Sequence, residues 1–330
     1  MKKGIFLFIV LTSLVFSAKT VSLPDLKKPV RIKVDRDGIY INDSMTISIY
    51  SLKDFHLVKR FGKKGEGPRE FKQYINLNVQ PHSLVITSVA KVSYFTKKGE
   101  FIKELRVPKG WTYKPLGKHF VGNDFVQDEN TLYKAVYLYD SKFDRIKELS
   151  RKEFPFQRAK SRFRVYSTPV DYWTGNNKVF ICGKEDFIID VFDGEGNQLA
   201  SLKEDYEKIK LSENHKNGIY DFFKKHPYYK TRYEWFKKQL VFPDQLPAIR
   251  SFFISQQKLF VRTYRKKKDK TEFFIFDMNG KFIKKRFLPV IERNVPTSFP
   301  FWIYDGKLYQ LYDNPETGSW ELQVTGMEKN

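Results

Sequence analysis

The chain has 330 residues, of which 41% are hydrophobic, 17% aromatic and 30% charged, and its 60 basic and 38 acidic residues give a net charge of +22. This composition excludes a disordered or collagen-like chain, because the apolar and aromatic content is enough to bury a large core. A single cysteine, Cys182, leaves no internal disulfide to hold the fold together. The charge bears on solubility and partners and not on the fold.

The amino terminus has the pattern of a secretory signal peptide over residues 1–18. Two lysines precede an apolar stretch from Ile5 to Phe16, and Ser17 and Ala18 supply the small residues that signal peptidase requires. The apolar stretch is shorter than the roughly 20 residues of a membrane-spanning helix, with an uncleaved anchor as the alternative. No later segment reaches spanning length, so we predict a mature chain that is secreted or periplasmic.

Five similar units follow, each made of a strand that ends in an aromatic residue, a short polar turn and a second strand. The aromatic residues are Tyr50, Phe95, Tyr139, Phe192 and Phe276, which lie 45, 44, 53 and 84 residues apart. A period in the forties is the length of a four-stranded propeller blade. Two further strands precede the aromatic residue in the first, second and fifth units, as a blade requires.

The two ends of the chain and the long interval need separate explanations. Three strands between Phe299 and Thr325 form an incomplete last unit, and Thr20–Leu23 is a candidate for its fourth strand, because an exposed edge is a liability. The 84-residue interval contains an insertion, residues 204–244, with aromatic residues at helical spacing on both sides of Pro227. We therefore predict one all-β domain over residues 19–330. It is a six-bladed β-propeller with four-stranded blades that the termini close, and a helical hairpin between blades four and five lays its aromatic stripes on the blades.

A glycine-rich segment, Phe-Gly-Lys-Lys-Gly-Glu-Gly-Pro-Arg-Glu-Phe, occupies residues 61–71. A phosphate-binding loop would need a Gly-Lys-Ser/Thr ending and a following helix, and both are missing from the pattern. The glycines instead predict a tight crossing between blades, with Phe71 plugging the seam. The segment resembles the crossing of six-bladed propellers related to NHL repeats, with Arg69 in place of the last glycine. This resemblance implies the fold; the exported members of that group are mostly of unassigned activity, and some related propellers are metal-dependent lactonases or lyases.

Residues that could carry catalysis or bind a metal form no recognisable motif. The five histidines occupy different repeat positions without ligand spacing, and Cys182 lies in an apolar strand, as is typical of a buried small hydrophobe. No Gly-x-Ser-x-Gly pattern is present. We predict no cofactor and no catalytic or metal-binding residues. A metal-dependent hydrolase or lyase with its site at the mouth of the central channel stays the alternative.

Basic residues concentrate in loops on one face of the predicted ring. We call this the upper face, and it carries the crossings from each blade to the next and the turns between the second and third strands of each blade. The candidates for binding an anion on this face are Lys63, Lys64, Arg69, Arg158, Lys160, Arg162, Arg164, Arg265, Lys266, Lys267 and Lys268. Acidic loops on the same face would divide this patch into lobes, and an ordinary solvated surface is the alternative explanation.

These patterns predict an exported, non-catalytic binding or assembly module for an anionic partner. An acidic glycan, an envelope surface or an acidic protein would fit, because aromatic residues stand beside cations in the insertion, as in residues 228–235. Nucleic acid suits the same composition, but export argues against that partner.

Overall fold

The computed structural model describes residues 18–107, 112–154, 156–157, 162–167, 170–183, 186–292 and 298–327. Within these residues, six four-stranded antiparallel sheets form a ring of blades, which confirms the six-bladed β-propeller predicted from the repeats. Residues 1–17 of the predicted signal peptide lie outside the described residues, so that assignment stays a prediction.

The first three blades follow a short amino-terminal strand, β1 (Ala18–Ser22). Blade one contains β2 (Pro29–Asp35), β3 (Gly38–Asp43), β4 (Thr46–Tyr50) and β5 (Leu57–Phe61). The crossing to blade two contains β6 (Lys63–Lys64) and β7 (Glu70–Phe71). Blade two contains β8 (Asn76–Val79), β9 (Leu84–Ser88), β10 (Lys91–Phe95) and β11 (Phe101–Arg106). Blade three contains β12 (Lys114–Leu116), β13 (His119–Asp128), β14 (Thr131–Tyr139) and β15 (Arg145–Glu153).

The other three blades follow a crossing that contains β16 (Phe156–Gln157) and β17 (Arg162–Arg164). Blade four contains β18 (Asp171–Gly175), β19 (Lys178–Cys182), β20 (Ile188–Phe192) and β21 (Gln198–Lys203). The insertion contains α1 (Glu213–Lys225), a 3₁₀ turn (Lys230–Arg232), α2 (Tyr233–Gln239) and β22 (Leu240–Val241). Blade five contains β23 (Ser251–Ser255), β24 (Lys258–Lys267), β25 (Lys270–Asp277) and β26 (Phe282–Leu288). Blade six contains β27 (Phe301–Tyr304), β28 (Lys307–Asn314) and β29 (Ser319–Gly326), and β1 is its outer strand.

The turns between the third and fourth strands share one local design. In blade four, Asp193 accepts hydrogen bonds from the backbone N–H groups of Glu195 and Asn197, and Gly196 has φ +79°. Asp277 and Gly280 repeat this arrangement in blade five, where Gly280 has φ +84°. An aspartate that caps the turn and a glycine in the left-handed region are what such a reversal needs. The strand, aspartate, glycine pattern of the sequence is therefore a turn motif.

The ring is closed by pairing between the two ends of the described chain. β1 runs antiparallel to β29, with Ala18 opposite Thr325 and Ser22 opposite Glu321. Leu23, directly after β1, is buried and donates its N–H to the carbonyl of Trp320 at 2.7 Å. The predicted closure by the termini is confirmed, and the closing strand starts two residues before Thr20.

The seam between blades one and two depends on the glycine-rich crossing. Phe71 is fully buried and packs with Tyr40 and Ile47 of blade one and Leu77 of blade two. Gly62 has φ +86°, and a Cβ atom there would lie 2.6 Å from the Phe71 ring. The crossing therefore needs glycine at this position both for its backbone angle and for its space, which confirms the seam-plugging role predicted for Phe71.

The helical insertion packs on a different surface from the one predicted. Ile219 and Phe223 of α1 form a small core with Phe236 of α2, and the apolar residues packed against this core are Phe163, Val165, Tyr166, Phe222, Tyr229, Tyr233, Leu240 and Phe242. All of these belong to the insertion or to the crossing between blades three and four. β22 also pairs in parallel with β17 of that crossing. The aromatic stripes therefore cover the crossing and not the blade strands, because the crossing presents apolar side chains of its own.

Candidate binding site in the central channel

A cavity of about 480 Å³ occupies the centre of the ring. Its lining comes mainly from the first strands of the blades, together with Asn123 of β13, Lys134 of β14, and Thr112 and residues 298–300 from crossings between blades. These crossings belong to the upper face, whereas no described lining residue belongs to a turn on the opposite, lower face. We conclude that the cavity opens to the upper face. Its volume lies in the range of small-molecule sites, roughly 300–1,000 Å³.

Strand alternation explains which side chains reach the cavity. Arg31 and Lys33 lie two residues apart on β2 and line it, whereas Ile32 and Val34 are buried in the hydrophobic core. The other first strands contribute polar or aromatic residues in the same way, and the lining includes Asn76, Asn78, Lys114, Asp171, Trp173 and Ser251. The described lining therefore holds four cations, Arg31, Lys33, Lys114 and Lys134, and one carboxylate, Asp171. We call these five residues, together with Trp173 and Trp302, the channel site.

Lys33 lies between the two tryptophans of the channel site. Its Nζ is 3.9 Å from the Trp173 ring centroid and 3.4 Å from that of Trp302, and the two rings are 5.9 Å apart. Trp302 is itself fixed by a hydrogen bond from Nε1 to the carbonyl of Val34, at 3.1 Å. Lys33 is 8% exposed and makes no hydrogen bond or ion pair with the described residues. Its ammonium group is therefore stabilised by ring faces instead of by an anion.

The other cations of the channel site are held by neutral acceptors. Lys114 donates to the carbonyl of Tyr172, and its Nζ is 4.2 Å from the Trp173 ring centroid. Lys134 donates to the carbonyl of Val170 at 3.0 Å, and Arg31 donates to the side-chain oxygen of Asn76. Asp171 accepts the N–H of Tyr172 at 2.8 Å and forms no ion pair within 4 Å among the described residues. The site thus holds an excess of positive charge without direct neutralisation.

The pKa values of Lys33 and Lys114 reflect the same excess of positive charge. Burial lowers the pKa of Lys33 well below its ordinary value, the charges of Lys114 and Arg31 lower it further, and Asp171 opposes them. Burial also lowers the pKa of Lys114, to about 8, again with Asp171 opposing and Arg31 and Lys134 adding to the effect. Each shift shows that the charged form is disfavoured where it stands. An anion placed among these groups would favour their charged forms and raise both pKa values.

A second group of charges borders the mouth of the channel. Glu292 forms ion pairs with Arg250, Arg262 and Lys266, and Arg262 also donates to the hydroxyl of Ser298 at 2.8 Å. Burial alone would raise the pKa of Glu292, but the three cations outweigh burial and hold it at about 2. Because Ser298 lines the cavity, this group continues the positive surface from the channel to the upper face.

Four of the predicted upper-face cations are paired with carboxylates. Lys63 lies 2.9 Å from Glu70, Arg164 lies 3.2 Å from Glu153, Arg265 lies 3.6 Å from Glu207 and Lys266 lies 2.7 Å from Glu292. Five others form no ion pair with the described residues: Lys64, Arg69, Arg162, Lys267 and Lys268. Arg158 and Lys160 lie outside the described residues. Pairing therefore removes much of the charge excess that the sequence predicts for these loops.

The structure gathers some of these cations and separates others. The crossing that carries Arg162 and Arg164 meets both the insertion and blade five, because Tyr166 donates to the carbonyl of His215 and lies 6.0 Å from the Tyr264 ring. Lys63, Lys64 and Arg69 lie at the junction of blades one and two, which is opposite the junction of blades four and five in a ring of six. The upper-face cations therefore fall into at least two groups around the channel.

Ligands for a metal-dependent enzyme would have to converge at the channel mouth. Asp171 is the one carboxylate among the described lining residues, and the described part of the chain contains no group of three His, Cys, Asp or Glu residues placed to hold a metal ion. His119 lies elsewhere, at a contact between blades, with Nδ1 2.9 Å from the carbonyl of Gly194. The described lining of the channel therefore presents four cations and a single carboxylate.

Comparison with known proteins supports the fold. No protein-family model and no curated protein matches the chain. Among solved structures, a predicted exported protein of Bacteroides fragilis is similar with a TM-score of 0.56 and 15% identity, covering 96% of this chain and 98% of that one. A member of the DUF4221 family from Bacteroides vulgatus is similar with a TM-score of 0.50 and 12% identity, with the same coverage of both chains. Because the identities are this low, the structural similarity shows a shared fold alone.

The described residues contain no helix with the length and apolar character that crossing a membrane requires.

Proposed function

We propose that this protein is an exported, non-catalytic binding module that takes an anionic partner on its upper face. The observation that carries the proposal is the channel site, where four cations face a cavity that contains one carboxylate. Two of the four, Lys33 and Lys114, are buried, and proteins pair or neutralise buried charges unless a ligand does so. A partner that brings negative charge to the upper face would complete these interactions.

Two observations support export. The first is the signal-peptide pattern of residues 1–18. The second is the similarity over the whole described propeller to a Bacteroides fragilis protein that is itself predicted to be exported. In that location the available anions include acidic glycans, anionic envelope surfaces and acidic proteins, and we propose a partner of one of these kinds. The exposed cations of the upper face would then meet the body of the partner around the channel.

Charge reversal on the two faces tests this proposal. We expect the triple variant Arg162→Glu, Lys267→Glu, Lys268→Glu to elute from a sulfated polysaccharide column at clearly lower salt than the wild type, because these three cations form no ion pair with the described residues and belong to the upper face. The matched control is Lys53→Glu, Lys98→Glu, Lys142→Glu, which changes the net charge equally in exposed turns of the lower face. Equal losses in the two variants would show that binding is a general effect of net charge, and the proposal would fail.

A further inference from the structure

The most unusual group in the molecule is the ammonium of Lys33. It is held at the inner end of a cavity that opens to the upper face, between Trp173 and Trp302, without an anion or a hydrogen-bond acceptor among the described residues. Cation–π contacts offset part of the cost of burying such a charge, but neighbouring cations add repulsion. A lysine that served only to fill this space would be replaced at lower cost by an apolar residue of the same length.

The groups around Lys33 are those that recognise an oxyanion. Arg31 and Lys114 bring two further positive charges to the same cavity. Neutral donors accompany them, since Asn78, Ser251 and Ser298 also line the cavity, whereas the hydroxyl of Thr112 already donates to Asn123. Charge-assisted hydrogen bonds from such groups are stronger than neutral ones and fit the oxygens of carboxylates and phosphates.

We infer that the channel site binds one oxyanion group, a carboxylate, phosphate or sulfate, which enters from the upper face and contacts Lys33, Arg31 and Lys114. The inference rests on the proposed function and deepens it, because the bound group would be the acidic end or side group of the anionic partner. The cavity of about 480 Å³ accepts such a group together with a few attached atoms, for example one sugar acid. The exposed cations of the upper face would contribute attraction over a longer range, and the channel would supply selectivity.

The test compares the wild type with Lys33→Met, which keeps the length of the side chain and removes its charge. Thermal unfolding is followed in sodium sulfate, sodium phosphate and sodium galacturonate, each against sodium chloride at equal ionic strength. We expect at least one of the three anions to raise the wild-type melting temperature. We expect Lys33→Met to melt higher than the wild type in chloride, because a buried charge is removed, and to lose the gain from the anion. The opposite signs of these two effects distinguish a ligand contact from a structural role.

Control variants keep the test decisive. Lys267→Met removes an exposed upper-face charge and should retain the full gain from the anion. Lys114→Met should lose at least tenfold in anion affinity by calorimetry, so that the inference can be tested even if Lys33→Met does not fold. The anion whose gain falls most from the wild type to Lys33→Met tells whether the preferred group is a carboxylate, a phosphate or a sulfate, because sulfate and phosphate also stabilise proteins without binding to a site.

The pH dependence supplies an independent readout. Since the pKa of Lys114 is about 8 in the free protein, sulfate affinity should be greatest below pH 8 and fall as the pH rises above it, because the neutral amine offers no charge. Lys114→Met should lack the step near pH 8, whereas a dependence that comes from Lys33, whose pKa burial also lowers, should remain. Sulfate keeps its charge throughout this range, so the titration belongs to the protein.

Failure of this inference can be told apart from failure of the proposed function. If no anion raises the melting temperature, or if Lys33→Met retains the gain, the channel site does not bind an oxyanion. Elution of the upper-face charge variant at lower salt would then still support an anionic partner that binds through the loops alone.

Discussion

Single residues show which roles can be predicted from a sequence pattern and which cannot. Phe71 was predictable as the plug of a seam, since a large aromatic residue directly follows a glycine-rich crossing. Lys33 was not predicted as a site residue, because a lysine that alternates with Ile32 and Val34 has the pattern of an ordinary solvent-facing position. The signal that could have found it is strand order: the polar positions of each blade's first strand face the channel, so Arg31, Lys33 and Lys114 belong together.

Arg69 lies in the crossing between blades one and two, and its backbone has φ +62°. A residue with a Cβ atom is destabilised by roughly 1–2 kcal/mol in the left-handed region. Glycine avoids this strain but loses more chain entropy on folding, so that a replacement by glycine gains only part of this energy. We expect Arg69→Gly to raise the free energy of unfolding by about 0.5–1 kcal/mol, as measured by urea denaturation. Arg69→Ala is the control, because it keeps the strained backbone and loses the contact of the guanidinium with the Phe101 ring, 5.2 Å away. A glycine variant less stable than the alanine variant would contradict this account.

At the scale of elements, the strands and their turns followed from the sequence, and the packing of the helices did not. The period of the repeats is a local signal that recurs along the chain, and the aspartate-to-glycine turns are local signals in blades four and five. The surface that the insertion covers depends instead on a contact with the crossing between blades three and four, where Phe163 and Tyr166 are remote in sequence from α1 and α2. Helical spacing shows that a helix has an apolar face but not which neighbour it meets.

The insertion should be removable, because its two ends are already paired with each other. Lys210 forms a bridge with Gln245, and Leu211 donates its N–H to the carbonyl of Asp244 at 3.0 Å. We expect replacement of residues 212–243 by Asn-Gly to leave a folded propeller with one cooperative thermal transition and an unchanged far-ultraviolet β-sheet signal. The melting temperature should fall by a few degrees, because Phe163 and Tyr166 lose their cover. Loss of the cooperative transition would show that the insertion is part of the propeller core.

For the whole molecule, the number of blades and the closure of the ring were predictable because both follow from counting strands. The last repeat lacked one strand, and the amino terminus offered one that belonged to no other blade. The position of the excess charge was harder to predict. Sequence counts assign the upper-face loops a strong positive charge, but ion pairs such as Lys63 with Glu70 and Arg164 with Glu153 neutralise part of it. A further group of cations, which the counts did not single out, lines the channel.

Ring closure gives a direct test of the architecture. We expect deletion of residues 19–24 to lower the melting temperature by about 10 °C, because blade six loses its outer strand and the buried Leu23. The control is the triple variant Lys19→Ala, Thr20→Ala, Ser22→Ala, which changes exposed side chains of β1 and keeps its backbone pairing with β29. An unchanged melting temperature after the deletion would mean that β1 contributes nothing to stability.

The pairing of β1 with β29 also sets the timing of folding. β1 precedes all six blades along the chain, and β29 (Ser319–Gly326) follows the other five, so blade six cannot be completed before the other blades have been synthesised. Contacts between such distant segments form slowly, because a loop of almost the whole chain must close first. Until β1 arrives, the outer edge of β29 is an open sheet edge that another strand could occupy.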